Sequence, residues 1–322
     1  MKRIKRFLSL FFDIALSPLV FAATLILRQA RKSGIHKRLV SRWIFDHLGV
    51  FPLRDHYYEP LYRTDRLDPG FRERRRLPGI DLNVSGQLRT LERFHYHEEL
   101  LAFPRTQHDS LAYFYQNGAF QAGDAEYLYC MIRSFRPRRL IEIGSGHSTL
   151  MARNAIARNG ADDPQYRCRH VCIEPYEQPW LERLGIEIVR TPVEKLDPSL
   201  FSELQENDIL FIDSSHMIRP QGDVLFEYLE VLPALAKGVL VHVHDVFTPR
   251  DYPNEWVIDK IRFWNEQYLL EAFLSCNGDF EVIGALNYLA LNHPAAFDAR
   301  FPVFAEQRGR TEPGSFWMRK TR

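Results

Sequence analysis

Residues 140–150 read LIEIGSGHSTL, an apolar strand running straight into a glycine-paired turn and then a helix, and this stretch constrains the fold more tightly than any other. Gly144 and Gly146 carry no Cβ, so the backbone around Ser145 can approach a ligand closely. The helix that follows aims its unpaired N–H groups and positive dipole end at the same place. A second apolar run, residues 170–173, ends at Glu174, about where a Rossmann-like unit presents a carboxylate to ribose hydroxyls. The E-x-G-x-G pattern alone is weak. Two acidic residues at strand ends, Glu142 and Glu174, together with the glycine turn, make it a prediction of cofactor binding.

Beyond residue 136 short β-like runs alternate with helical ones: strands at 139–143, 170–173, 186–189, 209–212 and 239–243, helices at 148–158, 178–183 and 224–232. Such alternation predicts an α/β fold, a doubly wound, mostly parallel sheet whose ligands bind at the carboxyl ends of the strands. Those ends are polar. The fourth run delivers Asp213-Ser214-Ser215-His216 and the fifth delivers His242-Val243-His244-Asp245. Neighbouring strand ends would bring Asp213, His244 and Asp245 to one rim, and carboxylates with an imidazole suit a divalent cation. A helix cap is the alternative role for Asp213, and at least one of His242 and His244 is expected to face away from the site.

With 45% hydrophobic and 26% charged residues the chain is globular, and a formal net charge of +1 supplies no field to gather nucleic acid, so none is expected as a partner. The four cysteines, Cys130, Cys168, Cys172 and Cys276, form no C-x-x-C pair and read as reduced thiols of a cytosolic catalytic part. At the N-terminus a basic lead, residues 1–6, precedes an almost uncharged run, residues 7–27, followed by Arg28, Arg31 and Lys32. The run is long enough to span a bilayer. Asp13, Pro18 and positive charge on both flanks favour instead a helix broken at Pro18 that dips into the cytoplasmic leaflet and returns. A signal peptide ending near Val20-Phe21-Ala22 and a helix packed on its own domain are the other readings.

The expected division is a membrane-associating segment at 1–34, an extension at 35–123 that covers the catalytic domain, and the Rossmann-like domain at 124–322. Within the extension, residues 37–48 and 109–115 read as helices, Arg72 to Arg76 as a solvated basic stretch, and His56-Tyr57-Tyr58-Glu59-Pro60 as a surface loop with packed tyrosines.

The residues quoted above resemble those of the class I S-adenosylmethionine-dependent methyltransferases, and within them the metal-dependent small-molecule O-methyltransferases. The resemblance covers roughly residues 124–322. Glu142-Ile143-Gly144-Ser145-Gly146 is similar to the first cofactor motif, Glu174 to the acidic ribose ligand, and Phe211-Ile212-Asp213 to the strand end that supplies a metal ligand. His244-Asp245 stands where those families place an acidic pair or aspartate followed by asparagine; the histidine is a departure, and it widens the metal from magnesium to transition ions. The resemblance implies S-adenosylmethionine as cofactor, touched also by His147, Pro192 and Val193. It implies a seven-stranded sheet closed by an antiparallel edge hairpin, here residues 280–291 and 315–319. It further implies that Asp213, Asp245 and His244 hold a metal that acidifies the acceptor hydroxyl, with His216 as the base.

Residues 247–253 form a proline-bounded loop beside the proposed metal, and Arg250, Asp251 and Tyr252 are expected to contact substrate. Residues 256–274 have helical spacing and read as core or a homo-oligomer face. The acceptor is expected to be a small hydroxylated molecule, a saccharide or a lipid-linked intermediate, and the location cytoplasmic, at the inner face of the membrane. Two other functions remain open: a different metal-dependent enzyme, a hydrolase or hydroxylase, and a non-catalytic, membrane-tethered cofactor-binding protein.

Overall fold

A computed structural model describes residues 2–322; Met1 and the side chains of Lys2, Arg3 and Arg6, part of the basic lead, lie outside the described residues. The chain divides into two compact units, residues Met1–Pro69 and Gly70–Arg322. The first holds helices α1 (Lys2–Lys32) and α2 (Leu39–Leu48). The break expected at Pro18 is absent, since α1 runs through it as one helix of 31 residues. Pro18 has no N–H for the carbonyl of Ile14, and the Ser17 hydroxyl donates to that oxygen at 2.8 Å, which satisfies the group the proline leaves unpaired.

The second unit opens with α3 (Val84–Glu92), α4 (His97–Leu101) and α5 (Asp124–Phe135). It continues with β1 (Arg139–Ile143), α6 (His147–Asp162), β2 (Arg169–Ile173), β3 (Glu187–Val189), α7 (Ser199–Ser202) and β4 (Ile209–Ile212). Next, α8 (Asp223–Phe226) passes through a wide turn at Glu227–Val231 into α9 (Leu232–Ala234), and β5 (Leu240–Val243) follows. The last elements are α10 (Glu266–Leu274), β6 (Phe280–Ala285), α11 (Leu286–Asn292), α12 (Pro294–Asp298), α13 (Pro302–Glu306) and β7 (Phe316–Lys320).

The seven strands lie in the order β3-β2-β1-β4-β5-β7-β6. The first five are parallel, and β7 pairs antiparallel with both β5 and β6, as expected for the edge. Because side chains alternate across a strand, the register sorts the apolar residues into two cores. Leu140, Ile209, Phe211, Leu240 and Trp317 face α5 and α6, while Ile141, Ile143, Leu210, Ile212, Val241 and Met318 pack on the other side. Every one of these is at most 2% exposed, so truncating Trp317 or Phe211 to alanine would cost about 3–5 kcal/mol.

The chain does not divide at residues 34 and 123. Phe94, Leu100, Tyr113, Tyr115 and Phe120 belong to the core around α5, so residues from Gly70 onward are part of the same unit as the sheet. Residues 109–115 form no helix. Tyr113 and Tyr115 are both buried, an alternation that no single helix face accommodates, and their hydroxyls donate to the carbonyls of Phe120 at 2.8 Å and Leu100 at 3.0 Å. The expected strand at 280–291 ends at Ala285, whose N–H donates to the Gln87 side chain at 2.6 Å; Leu286, Leu289 and Ala290 then bury a helical face. Likewise the helical stretch expected over 256–274 is interrupted: a short π-helical turn at Glu255–Asp259 is separated from α10, which begins at Glu266. The His216 carbonyl accepts from the N–H groups of Asn265 at 3.0 Å and Glu266 at 3.2 Å and so sets where it starts.

Candidate active site

β1 ends in the glycine turn because nothing larger fits there. Gly144 has φ 78°, and a Cβ on it would collide with the carbonyl oxygen of Asp213. The turn at the head of β1 is therefore pressed against the head of β4, its sheet neighbour. Gly146 caps α6 with its N–H donating to Thr149 Oγ1 at 3.1 Å. Around this turn lies a cavity of about 470 Å³ lined by Gly144, Ser145, Gly146, His147, Glu174, Pro192 and Val193, all expected cofactor residues, and by Asp213. Glu174 sits at its rim, its carboxylate accepting from the backbone N–H groups of Tyr176 at 3.0 Å and Glu177 at 2.9 Å.

Glu142 does not line the cavity. Strand alternation turns it onto the α5 side of the sheet, fully buried, where its Oε2 is 2.9 Å from His170 Nε2 and accepts from the Cys172 thiol at 3.2 Å. These three side chains lie within ligand distance of one another, but burial and the Glu142 charge push the Cys172 thiol far above its ordinary range. They form a hydrogen-bonded support beneath the turn.

A second cavity, of about 750 Å³, adjoins the heads of β5 and α5 and is lined by Asp124, His244, Asp245, Phe247, Arg250, Trp256, Lys260 and Arg310, among others. Of the three expected substrate contacts only Arg250 lines it. Asp251 accepts from the Tyr268 hydroxyl at 2.5 Å, and the Tyr252 hydroxyl accepts from the Gln267 N–H at 3.0 Å, so both serve the packing of α10.

Between the cavities stand the acidic strand ends, and the structure groups them differently from the expected Asp213, His244 and Asp245. Asp213, His216 and Asp245 each offer a ligand atom within 4.8 Å of the others. His216 Nε2 is 3.3 Å from Asp213 Oδ1 and 3.6 Å from Asp245 Oδ2. Its Nδ1 is 2.8 Å from Glu266 Oε2, a carboxylate only 1% exposed that the sequence did not single out. The side chains of Asp213 and Asp245 keep 32% and 18% exposure against 7% for His216, so the group opens to solvent through its oxygens. Both His216 and Asp245 hold positive φ, at 59° and 57°, a conformation that costs a side-chain-bearing residue about 1–2 kcal/mol.

His242 and His244 point to the same side of the sheet, their rings 5.5 Å apart, and one of the two, His242, stays out of the site. His242 is the deeper of the two, bonded to Ser315 Oγ at 2.9 Å, and burial with the His244 charge depresses its basicity well below the ordinary value. His244 Nε2 lies 3.5 Å from Asp245 Oδ1, on the side of the larger cavity.

Electrostatics separate the two rim imidazoles. Burial works against charge on His216, but the hydrogen bonds its ring donates to Asp213 and Glu266 and the charges of Glu266 and Asp245 outweigh it, so the ring is held protonated well above its ordinary range. Burial also opposes charge on His244, and Asp245, Asp213 and Asp124 raise it. Burial raises Asp213, yet the His244 charge and the His216 hydrogen bond prevail and bring its carboxyl down to about 2.

Residues 141–246, from β1 to just past β5, match the methyltransferase domain family model. An uncharacterized protein of Archaeoglobus fulgidus is 34% identical over 174 residues, half of this chain and 76% of that protein. An O-methyltransferase from Bacillus cereus, solved with SAH, superposes over 72% of this chain and 91% of its own at 12% identity and a TM-score of 0.35, a likeness too loose to argue from.

Proposed function

Residues 141–246 match the methyltransferase domain family, and from that premise we propose that the chain is a class I S-adenosylmethionine-dependent methyltransferase that methylates a hydroxyl group with the help of a divalent metal. One observation carries the proposal: the Asp213, His216 and Asp245 group stands between a cavity at the glycine turn and a second cavity able to hold an acceptor. Two carboxylates and an imidazole fit a divalent cation, and the imidazole admits manganese, iron or zinc as readily as magnesium.

When bound, S-adenosylmethionine supplies a methyl group on a sulfonium sulfur and leaves as the neutral thioether. A divalent ion, when held, supplies Lewis acidity that makes the acceptor hydroxyl easier to deprotonate. The protein's own residues do the rest. Glu174 takes the ribose hydroxyls, and the N–H groups at the start of α6 receive the polar end of the cofactor. The roles of the two histidines exchange relative to the sequence expectation. His216, backed by Glu266, is a ligand held in one orientation, because carboxylates behind metal-ligating imidazoles fix the tautomer and the ring plane. His244, which faces the larger cavity, would accept the acceptor's proton at Nε2 in its neutral form, which the charge of a bound divalent ion beside Asp245 would favour over the protonated ring of the metal-free site. Since methyl transfer forms no covalent enzyme intermediate, alignment of oxygen, methyl carbon and sulfur is the main task of the site.

The larger cavity combines Arg250, Lys260 and Arg310 with Trp256 and Phe247, a lining suited to a polar acceptor such as a saccharide or lipid-linked intermediate. Helix α1 is proposed as a membrane anchor. Its continuity over 31 residues, about 46 Å, favours a span over a hairpin. Transfer of labelled methyl groups to a panel of hydroxylated acceptors, with and without chelator, tests the activity. Full turnover after verified metal removal would refute the metal role, and failure of folded protein to bind S-adenosylmethionine would refute the cofactor site.

A further inference from the structure

We propose that α2 is a second membrane element, an interfacial helix that lies in the headgroup layer of the bilayer that α1 enters. The inference rests on the reading of α1 as an anchor. No side chain of α2 is buried. Leu39, Val40, Trp43, Ile44 and Leu48 recur at helical spacing and are 76%, 73%, 60%, 39% and 72% exposed, so they form one apolar face that nothing among the described residues covers. Arg38, Arg42 and Asp46 occupy the opposite arc, where Arg42 and Asp46 pair at 3.7 Å. That is the pattern of a helix lying along a membrane surface, with its apolar side among acyl chains and its charged side in water.

A lipid surface is the occupant that the rest of this unit points to. Only six residues separate α2 from the end of α1, whose residues 7–32 are long enough to span a bilayer and contain an 18-residue stretch that is strongly apolar and unburied. From residue 28 to residue 48 there are six basic residues, Arg28, Arg31, Lys32, Lys37, Arg38 and Arg42, against one acidic residue, Asp46, which suits an anionic lipid surface. The end of α1 is also tied to the segment after α2. Arg31 and Arg54 both donate to Glu59, at 2.9 and 3.0 Å, and the Arg31 guanidinium lies 4.9 Å over the Phe51 ring. Whatever depth the end of α1 takes, this clamp keeps the α2 region near it. Tyr57 and Tyr58, expected to be packed, are instead 92% and 85% exposed, and aromatic residues of this kind concentrate at membrane interfaces.

The test uses the full chain reconstituted into vesicles of phosphatidylcholine and phosphatidylglycerol, with the phospholipids brominated either just below the headgroup or deep in the acyl chains. Shallow bromine is expected to quench a component of the tryptophan emission that Trp43→Phe loses entirely, whereas deep bromine leaves that component intact. Replacing phosphatidylglycerol by phosphatidylcholine should reduce this quenching. Protein that floats with vesicles but shows identical quenching in wild type and Trp43→Phe would overturn the interfacial helix while leaving the anchor standing. Protein that does not float at all would overturn both. If the difference is absent and Ile44→Asp converts a detergent-solubilised dimer to a monomer, the face belongs to a second copy of the chain and the membrane proposal fails.

Discussion

His216 Nδ1 stands 2.8 Å from Glu266 Oε2, across 50 residues of sequence, and this contact decides which way the imidazole faces the two aspartates. With Nδ1 engaged, Nε2 is left toward Asp213 and Asp245. Glu266→Gln should therefore weaken a divalent metal about 10–100-fold, the usual effect of removing a carboxylate behind a ligating histidine. Isothermal titration with Mn²⁺ and Zn²⁺ measures it. S-adenosylmethionine affinity, carried by the separate glycine-turn cavity, should remain near wild type.

Metal binding should release a proton. The surrounding carboxylates raise the pKa of His216, so the metal-free ring carries its proton at neutral pH and must lose it to become a ligand. The sign follows: apparent metal affinity increases as pH rises, up to the raised pKa, and levels off above it. Calorimetry in buffers of different ionisation enthalpy should count the proton in wild type and lose it in His216→Ala.

The two rim histidines should give distinct kinetic signatures. His244→Ala should lower the rate of methyl transfer by roughly 10²–10⁴-fold with cofactor and metal affinities unchanged, as expected for a proton acceptor. His216→Ala should instead lower metal affinity, with activity partly restored at high metal concentration. The reverse pattern would return His216 to the base role. Acceptors that are already ionised should narrow the His244→Ala defect, because no proton remains to be taken.

Gly144 and Glu174 should differ in what they damage. Glu174→Ala removes charge-assisted hydrogen bonds to the ribose, worth about 1.5–3 kcal/mol of cofactor affinity, and should spare the metal. Gly144→Ala places a Cβ against the Asp213 carbonyl at a φ of 78°, so it should lower cofactor affinity, metal affinity and the thermal midpoint together. Parallel binding titrations and melting curves distinguish the two.

Much of the catalytic unit was legible in the sequence because it is written in local periodicity. The strands ending at Ile143, Ile173 and Ile212 and the helix from His147 were readable from apolar runs and a glycine turn. Seven of the eight residues expected to bind cofactor line the one cavity at the glycine turn. Glu142 was the exception, since an acidic residue inside a strand alternates onto the buried face. Helix boundaries after residue 255 were lost because the His216 carbonyl, remote in sequence, sets where α10 starts.

The chain's own order of residues determined the alternating α/β pattern, the glycine turn, the polar strand ends and the long apolar helix, since each depends on neighbours within about a turn or a strand. Tertiary structure alone decided that His216, not His244, stands between the aspartates, that Glu266 fixes its ring, and that His244 faces the larger cavity. Side-chain direction at a strand end depends on φ at single residues and on partners brought in from distant helices. No periodicity in the sequence encodes either.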